Sequence, residues 1–176
     1  MKLFFAAVAA CAVLSLCADE DLKINGDFKG SVLNAIQPKG WIKNHAQTAG
    51  IGVSAVVAGK KADEFAMNVK TQKVVTPFYT QSSYAAKAGD TLKVEADFSG
   101  TGKIAFAYYA YDAQGRYICS KTGQVQTISA PGEKKDVIAV DKGINGREVA
   151  AIRVVISILH NSDITFSDVD AEIVKQ

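Results

Sequence analysis

The sequence is poor in the residues from which catalytic and metal sites are usually built. Its 176 residues include only two histidines and three cysteines. His45 and His160 lie far apart and have no metal-ligand spacing such as His-x-x-x-His. No Gly-x-Ser-x-Gly nucleophile motif and no phosphate-binding glycine loop occurs. These absences argue against the common hydrolase and nucleotide-dependent classes, and we expect a protein that is not an enzyme.

The charge balance gives no sign of a nucleic-acid partner. Twenty Lys and Arg residues face eighteen Asp and Glu residues, for a formal net charge of +2. The basic residues are scattered, with short pairs at Lys60-Lys61 and Lys134-Lys135 and no continuous stripe. Beyond the N-terminal segment, no apolar stretch approaches the length of a membrane-spanning helix. We therefore expect neither nucleic-acid binding nor a membrane span.

Residues 1–18 have the layout of a secretory signal peptide. A basic start and an apolar run lead to the small-residue site Leu16-Cys17-Ala18, which acidic residues follow at once. The pattern predicts cleavage after Ala18, an exported domain of residues 19–176, and a secreted, periplasmic or cell-surface location. The alternative is a lipoprotein with Cys17 acylated, which we disfavour because Leu16 stands where lipoprotein signals usually have Gly, Ala or Ser.

Cys119 is the only cysteine left once the signal segment is set aside. An internal disulfide is then excluded, although an exported protein would be allowed one. A chain of this length can bury enough apolar surface without such a bond. We expect Cys119 to act as a small apolar residue rather than as a nucleophile, because no motif links it to a histidine.

Alternating apolar and polar residues predict one all-β domain over residues 19–176. In the segment 91–98 the residues Leu92, Val94 and Phe98 share one face, and charged residues occupy the other. Strands are predicted at 51–57, 64–70, 74–80, 91–98, 103–111, 117–127, 136–140, 152–158 and 164–173. Turn signals are found at 58–61, 88–90, 99–102, 112–115, 131–132 and 144–146. Many short strands with glycine-rich turns predict a two-sheet antiparallel β-sandwich, most simply a jelly roll.

The same alternation predicts the hydrophobic core. The expected core residues are Leu92, Val94, Phe98, Phe106, Ile152, Val154 and Ile156. Trp41, the only tryptophan, begins a strand after Gly40, and we expect its large ring to lie in this core rather than at a binding site.

Several short motifs occur in an order that is similar to a known family. They are Ile24-Asn25-Gly26-Asp27-Phe28, Pro38-Lys39-Gly40-Trp41, Gln81, Lys87 to Leu92, Ala107 to Gly115, and Phe166-Ser167-Asp168-Val169. Together they resemble the carbohydrate-binding modules of the family 4/9 kind, which are galactose-binding-like jelly rolls. The resemblance extends over about residues 22–174. It implies a non-catalytic domain that binds a polysaccharide or oligosaccharide, often on the concave sheet.

The resemblance also implies a structural calcium near the chain termini, for which Asp27 and Asp168 are the matching residues. Two departures argue against it: Lys29 follows Phe28 where the family usually has Glu, and Ser167 replaces a usual first Asp. Calcium needs about six to eight oxygen ligands. We therefore expect no cofactor, with a Lys29–Asp168 ion pair in place of the ion and structural calcium as the alternative.

Tyr109 and Tyr111 are the best candidates for binding a sugar. They share the face of the predicted strand 103–111 opposite to its apolar core face, beside the small residues Ala105 and Ala107. Aromatic rings stack on the C–H faces of sugars, so a shallow floor with tyrosine walls suits a glycan. The alternative is that these tyrosines only cover the sheet. The candidates for hydrogen bonds to hydroxyl groups are Asn44, His45, Gln81, Arg116 and Gln124.

Two other functions agree with parts of the sequence. Glu95 and Asp97 share a strand face and could suggest a glycosidase pair, but two carboxylates on one strand do not flank a scissile bond well. A solvated face is the simpler interpretation of these two residues. The main alternative is a structural or adhesive β-sandwich at the cell surface that binds protein rather than glycan.

Overall fold

The computed structural model describes residues 19–44 and 52–176. The predicted signal peptide of residues 1–18, with its cleavage site and Cys17, lies outside the described residues. So do His45 and residue 51, the first position of one predicted strand.

The described residues form β-strands joined by turns and loops, and they contain no helix. In chain order the strands are β1 (Asp19–Asp21), β2 (Trp41–Lys43), β3 (Gly52–Ala58), β4 (Phe65–Thr71), β5 (Thr76–Thr80), β6 (Tyr84–Ala85), β7 (Thr91–Tyr111), β8 (Tyr117–Ile128), β9 (Gly132–Ala139), β10 (Ala151–Ile158) and β11 (Ser162–Val174). Within the described ranges, no helix has the length and apolar character needed to cross a bilayer.

The strands make two antiparallel sheets that share β7. In sheet A, the first half of β7 lies between β9 and β11, and β11 pairs with β4, which pairs with β3. β1 pairs with the end of β11. In sheet B, the second half of β7 lies between β8 and β10, and β10 pairs with β5, which pairs with β2. β6 pairs with the start of β10. This arrangement confirms the predicted two-sheet antiparallel β-sandwich.

Gly100 and Gly102 carry β7 from one sheet into the other. Both have positive φ, +102° and +143°, which residues with a Cβ rarely adopt. A Cβ on Gly100 would collide with the Asp163 carbonyl, and one on Gly102 with the Ser162 side chain. The turn predicted at 99–102 was therefore wrong: the glycines bend a continuous strand instead of ending it, as glycine does at sheet corners.

The space between the sheets is filled by one aromatic and aliphatic core. All of the predicted core residues are buried, which confirms Leu92, Val94, Phe98, Phe106, Ile152, Val154 and Ile156. Phe166 lies at the centre, with edge contacts to the rings of Phe28 and Phe78 at centroid distances of 5.7 and 5.6 Å.

Trp41 has the core position that the sequence predicted. It is 1% exposed, packs edge-on against Phe28 at 6.0 Å, and donates from Nε1 to the Asn25 carbonyl at 3.0 Å. Phe28 itself has a φ of +55°, and the core holds this unusual backbone because the ring is fully buried. The Asn-Gly-Asp-Phe motif is thus a turn whose last residue, Phe28, anchors the chain in the core.

The other strands agree with the predictions to different degrees. β8, β10 and β11 begin and end within two residues of their predicted limits. β9 starts at Gly132 instead of residue 136, so the predicted turn at 131–132 already includes its first residue. β2 begins at Trp41, where the sequence indicated a strand start, whereas β1 and β6 were not predicted, because two or three residues carry no periodic pattern.

Candidate functional site

The outer face of sheet B is the surface on which the sequence placed its binding site. In the second half of β7, Ile104, Phe106 and Tyr108 point into the core, so the alternate residues point outward. The outward positions Ala105 and Ala107 are small and lie under their neighbours, whereas Tyr109 and Tyr111 are half-buried. This strand therefore provides a low floor that leads to two tyrosine rings.

Neighbouring strands extend these two rings into a cluster of four, which we call the tyrosine cluster: Tyr79, Tyr109, Tyr111 and Tyr117. Tyr79 of β5 lies 5.3 Å from Tyr109 between ring centroids. Tyr117 of β8 contacts both β7 tyrosines edge-on, at 6.1 Å from Tyr109 and 6.1 Å from Tyr111. Tyr117 is 52% exposed, so the cluster offers a free aromatic surface to solvent.

Arg153 of β10 lies within the tyrosine cluster. The register places it directly opposite Tyr109. Its guanidinium carbon is 5.1 Å from the ring centroid of Tyr111 and 5.7 Å from that of Tyr79. These are cation–π distances, so the guanidinium group is held between rings rather than left to move in solvent.

A shallow depression of about 660 Å³ adjoins the cluster. Ala107 and Val155 contribute to its apolar lining, Tyr109 borders it, and the hydroxyl groups of Ser120 and Thr122 belong to residues of the same rim. An apolar floor with a few polar groups around it is the usual composition of a small-molecule or glycan site.

Burial affects the tyrosine hydroxyl groups of the cluster. It raises the pKa of Tyr109, and a hydrogen bond with the Asn44 side chain lowers that pKa by a smaller amount. Burial also raises the pKa of Tyr111, partly opposed by the positive charge of Arg153. A tyrosine with a pKa above its ordinary value stays protonated near neutral pH, so both hydroxyl groups can donate as well as accept hydrogen bonds.

The structure brings some of the predicted polar residues to this face. Asn44, just after β2, hydrogen-bonds through its side chain to Tyr109 and through its backbone N–H to the Pro77 carbonyl at 3.0 Å. Gln81 is exposed immediately after β5, two residues beyond Tyr79. Gln124 is not brought to this face: it lies in β8 between the partners of Ala105 and Ala107, on the side of the inward-facing Phe106, and its backbone N–H donates to the Asp136 carboxylate of β9 at 2.7 Å.

Arg116 lies next to Tyr117, but its guanidinium group already has partners. Its Nε donates to the Asp112 carboxylate at 2.9 Å, and its Nη2 donates to the Gln114 side chain at 3.2 Å. These bonds fix the turn between β7 and β8 and give Arg116 a structural task beside the site.

Sequence reasoning missed Tyr79, Tyr117 and Arg153. A signal for Arg153 was present, because it occupies an outward position in a strand whose alternate residues, Ile152 and Val154, are core. An arginine in such an apolar strand is unusual enough to mark a site. Tyr79 and Tyr117 could be placed only once the pairing of β5 and β8 was known.

The charged residues near Asp27 and Asp168 do not fit a calcium ion. The Asp27 carboxylate pairs with Lys29 at 2.7 Å, and its backbone carbonyl accepts from the Phe65 N–H at 3.0 Å. The hydrogen bond from Lys29 lowers the pKa of Asp27. Asp168 faces Lys60 at 3.6 Å. The predicted Lys29–Asp168 pair is corrected accordingly: Lys29 bonds to Asp27, two residues earlier, and Lys60 is the cation beside Asp168.

Calcium would need about six to eight oxygen ligands, and here lysines lie beside both carboxylates. Among residues 19–44 and 52–176, no group of three or more His, Cys, Asp or Glu side chains is placed to hold a metal ion.

Several carboxylates of sheet A take part in ion pairs. Asp97 pairs with Lys60, and Lys93 pairs with Glu172 and lies 3.7 Å from Asp19. Asp97 therefore belongs to a network of surface charges, which agrees with the interpretation of this strand face as a charged, solvated one.

Comparison with known proteins finds relatives by fold only. No protein-family model matches the sequence. No curated protein matches it either. The similar solved structures include an apo-form cyclase from Fischerella sp., with 8% identity, a TM-score of 0.59, and coverage of 88% of this chain and 96% of that one. An arabinose-bound α-L-arabinofuranosidase has 12% identity and a TM-score of 0.57 over 88% of this chain, which spans only 26% of that protein.

A third similar structure is the CBM22-1 xylan-binding domain of a Paenibacillus barcinonensis protein. It has 7% identity and a TM-score of 0.51, with coverage of 91% of this chain and 95% of that domain. At such low identities the likeness shows the fold alone: the chain is an all-β sandwich of the kind found in carbohydrate-binding modules, and enzymes contain similar domains.

Proposed function

We propose that this protein binds a polysaccharide or oligosaccharide on the outer face of sheet B and does not catalyse a reaction on it. The observation that carries the proposal is the tyrosine cluster, in which Tyr117 is 52% exposed and Tyr109 borders an open depression. Clustered, partly exposed aromatic side chains are uncommon on a surface without a binding role.

The geometry suits a sugar chain. The rings of Tyr109 and Tyr117 lie nearly perpendicular to each other, at 83°, so they border a corner in which one ring can stack on a pyranose face. The Asn44 side chain and the protonated tyrosine hydroxyl groups supply hydrogen bonds to sugar hydroxyl groups. A shallow site with one or two stacking rings, which must order a flexible chain, predicts weak binding.

The strands of sheet B argue for binding without turnover. None of them contains an Asp or Glu, whereas a glycosidase needs two carboxyl groups about 5–9.5 Å apart on either side of the scissile bond. Glu95 and Asp97 lie in the half of β7 that belongs to sheet A.

The resemblance to carbohydrate-binding modules supports the same function. One protein of similar fold is described as a xylan-binding domain. The motif order that resembles the family 4/9 modules adds to this support. Export through the predicted signal peptide is part of the proposal, with a secreted, periplasmic or cell-surface location, since extracellular polysaccharides are found there.

Affinity electrophoresis against soluble glucans, xylans and mannans tests the proposal. We expect retardation on at least one polymer, and its loss when Tyr109 and Tyr111 are both replaced by Ala. Val137→Ala is the control, because it removes a 65%-exposed apolar side chain from sheet A. Retardation that persists in the folded double variant would remove this site, and release of reducing sugar would show an enzyme instead.

An adhesive role is the second candidate, and one observation favours it. Val32, Leu33, Ile36 and Val53 are between 50% and 72% exposed. Residues 34–36 run beside β3, with the Asn34 N–H donating to the Val56 carbonyl at 2.9 Å and the Ser54 hydroxyl to the Ile36 carbonyl at 2.7 Å. Exposed apolar side chains on such a segment can bind protein. A partner that co-purifies with the tyrosine variant and is lost when Val32 and Leu33 become Ser would support adhesion over glycan binding.

A further inference from the structure

We propose that sheet B selects glycans with an acidic group, either a carboxylate or a sulfate ester, and that Arg153 binds this group; the inference rests on the proposed glycan-binding function. It is carried by two independent observations, the distribution of charge between the sheets and the environment of Arg153.

The acidic residues of the strands are confined to one sheet. β1, β9, β11 and the first half of β7 all contain Asp or Glu, and all belong to sheet A. β2, β5, β6, β8, β10 and the second half of β7 contain none. Of the four cations in these strands, Lys43 is buried and bonds to the Gly52 carbonyl, and Lys121 pairs with Asp141. Lys103 and Arg153 lie on the outer face, so the strands of sheet B place no fixed negative charge beside Arg153, which favours an anionic ligand there.

Arg153 has no partner for its charge among the described residues. Its guanidinium group forms no salt bridge there, and its Nε is buried without a hydrogen-bond partner. The two other arginines, Arg116 and Arg147, both bind Asp112. Buried polar atoms normally have partners, so an unpartnered atom at a candidate site needs an explanation.

The rings around Arg153 hold it in place without neutralising it. Tyr79 and Tyr111 are both within 6 Å of the guanidinium carbon, and burial keeps the Tyr111 hydroxyl protonated. A guanidinium group is planar and has several donors in a fixed arrangement, which matches the oxygen atoms of a carboxylate or a sulfate. A sugar ring stacked on the cluster would place an acidic substituent within reach of this group.

The test uses the full chain and matched polymers that differ only in charge. Glucuronoxylan is compared with the same polymer after carboxyl reduction, and a sulfated galactan with its desulfated form. We expect the protein to bind at least one acidic polymer roughly tenfold more tightly than its neutral partner. Tighter binding of the acidic polymer in the glucuronoxylan comparison alone would identify a uronic acid as the ligand. Tighter binding of the acidic polymer in the galactan comparison alone would identify a sulfate ester.

Three variants assign this preference to Arg153. Arg153→Gln should lower the affinity for the acidic polymer about tenfold and leave that for the neutral polymer within about twofold. Arg153→Lys keeps the charge without the planar group and should retain only part of the preference for the acidic polymer. This variant replaces Arg153→Gln in the test if the Gln variant does not fold. Lys103→Gln removes an exposed charge from the outward side of the same β7 half and should have less than about a twofold effect.

The outcomes separate this inference from the function on which it rests. Equal binding of acidic and neutral polymers, abolished by the tyrosine double variant, would overturn the inference and leave glycan binding intact. Equal losses in the Arg153→Gln and Lys103→Gln variants would show general charge attraction and overturn the role of Arg153. No binding to any polymer would reject the proposed function itself, and the inference with it.

Discussion

Arg147 reaches back along the chain to the carboxylate of Asp112, with Nε and Nη2 of the arginine 3.0 and 2.8 Å from Oδ2 of the aspartate. The same carboxylate accepts from the Arg116 backbone N–H at 2.9 Å. The loop before β10 is thus tied to the end of β7 beside the tyrosine cluster. Burial alone would raise the pKa of Asp112, but the hydrogen bonds and charges of Arg116 and Arg147 hold it well below its ordinary range.

Asp112→Asn should destabilise the fold at neutral pH, because it leaves two arginines without their anion. A lowered pKa in the folded state means that the ionised carboxylate stabilises the protein above its unfolded pKa, near 3.8, and that this stabilisation is lost as the pH falls toward the folded value. We expect the melting temperature of the variant to lie several degrees below that of the wild type at neutral pH. This difference in melting temperature should narrow below about pH 4.

The matched control for this variant is Asp163→Asn, which breaks an exposed pair with Lys70 and should change melting little. Thermal melts of both variants across the pH range make the comparison. Equal melting of the Asp112 variant and the wild type at neutral pH would contradict the structural role of this carboxylate.

The fold could be predicted from the sequence wherever the pattern was long. Alternation over residues 91–98 and 103–111 correctly placed Leu92 and Phe106 in the core. Glycines between these segments were misread as a turn, because sequence alone does not distinguish a glycine that ends a strand from one that bends it. The difference depends on Asp163 and Ser162, which approach Gly100 and Gly102 from a strand about sixty residues later.

The candidate site could be predicted only in part for the same reason. Tyr109 and Tyr111 belong to one strand, and alternation was enough to place them on one face. Tyr79 and Arg153 join them through the pairing of β5 with β10 and of β10 with β7, which no local pattern encodes. Likewise, the sequence does not show that the Arg116 guanidinium group donates to the Asp112 carboxylate and so has a partner within the turn.

Gly100→Ala should be strongly destabilising. The new Cβ meets the Asp163 carbonyl, which belongs to the paired backbone and cannot move without breaking the sheet. Gly115→Ala is the control, because its φ is also positive, at +73°, but no atom lies within 4 Å of the added Cβ. We expect a cost of roughly 1 kcal/mol for the control and at least about 2–3 kcal/mol for Gly100. Urea unfolding with equal m-values measures both, and equal costs would contradict the close approach.

Trp41 provides an intrinsic probe of the core, because the chain has only one tryptophan. Its emission should be blue-shifted and protected from acrylamide, since the ring is 1% exposed. Trp41→Phe should destabilise by about 1–3 kcal/mol because it leaves the Asn25 carbonyl without its donor. Red-shifted, easily quenched emission from the native protein would contradict this position.

Arg153→Met should leave the melting temperature unchanged or raise it. The substitution keeps an unbranched apolar side chain between the rings and removes a buried donor without a partner. An unsatisfied buried group costs about 1–3 kcal/mol, which offsets cation–π contacts of about 0.5–2 kcal/mol. Arg147→Met is the matched control and should lower the melting temperature, because it removes a partner of Asp112. A large loss of stability in the Arg153 variant would mean that this arginine supports the fold.

β7 runs through both sheets as one strand, with Phe98 in sheet A and Phe106 in sheet B packed against each other at 5.9 Å. Neither sheet can therefore melt while the other stays folded, because each would have to give up half of the same strand. Unfolding should be a single cooperative step, without a half-folded intermediate that exposes an edge of β7 to aggregation. Under the proposed function, such cooperativity means that tension from a polymer bound to sheet B would be shared by the entire sandwich.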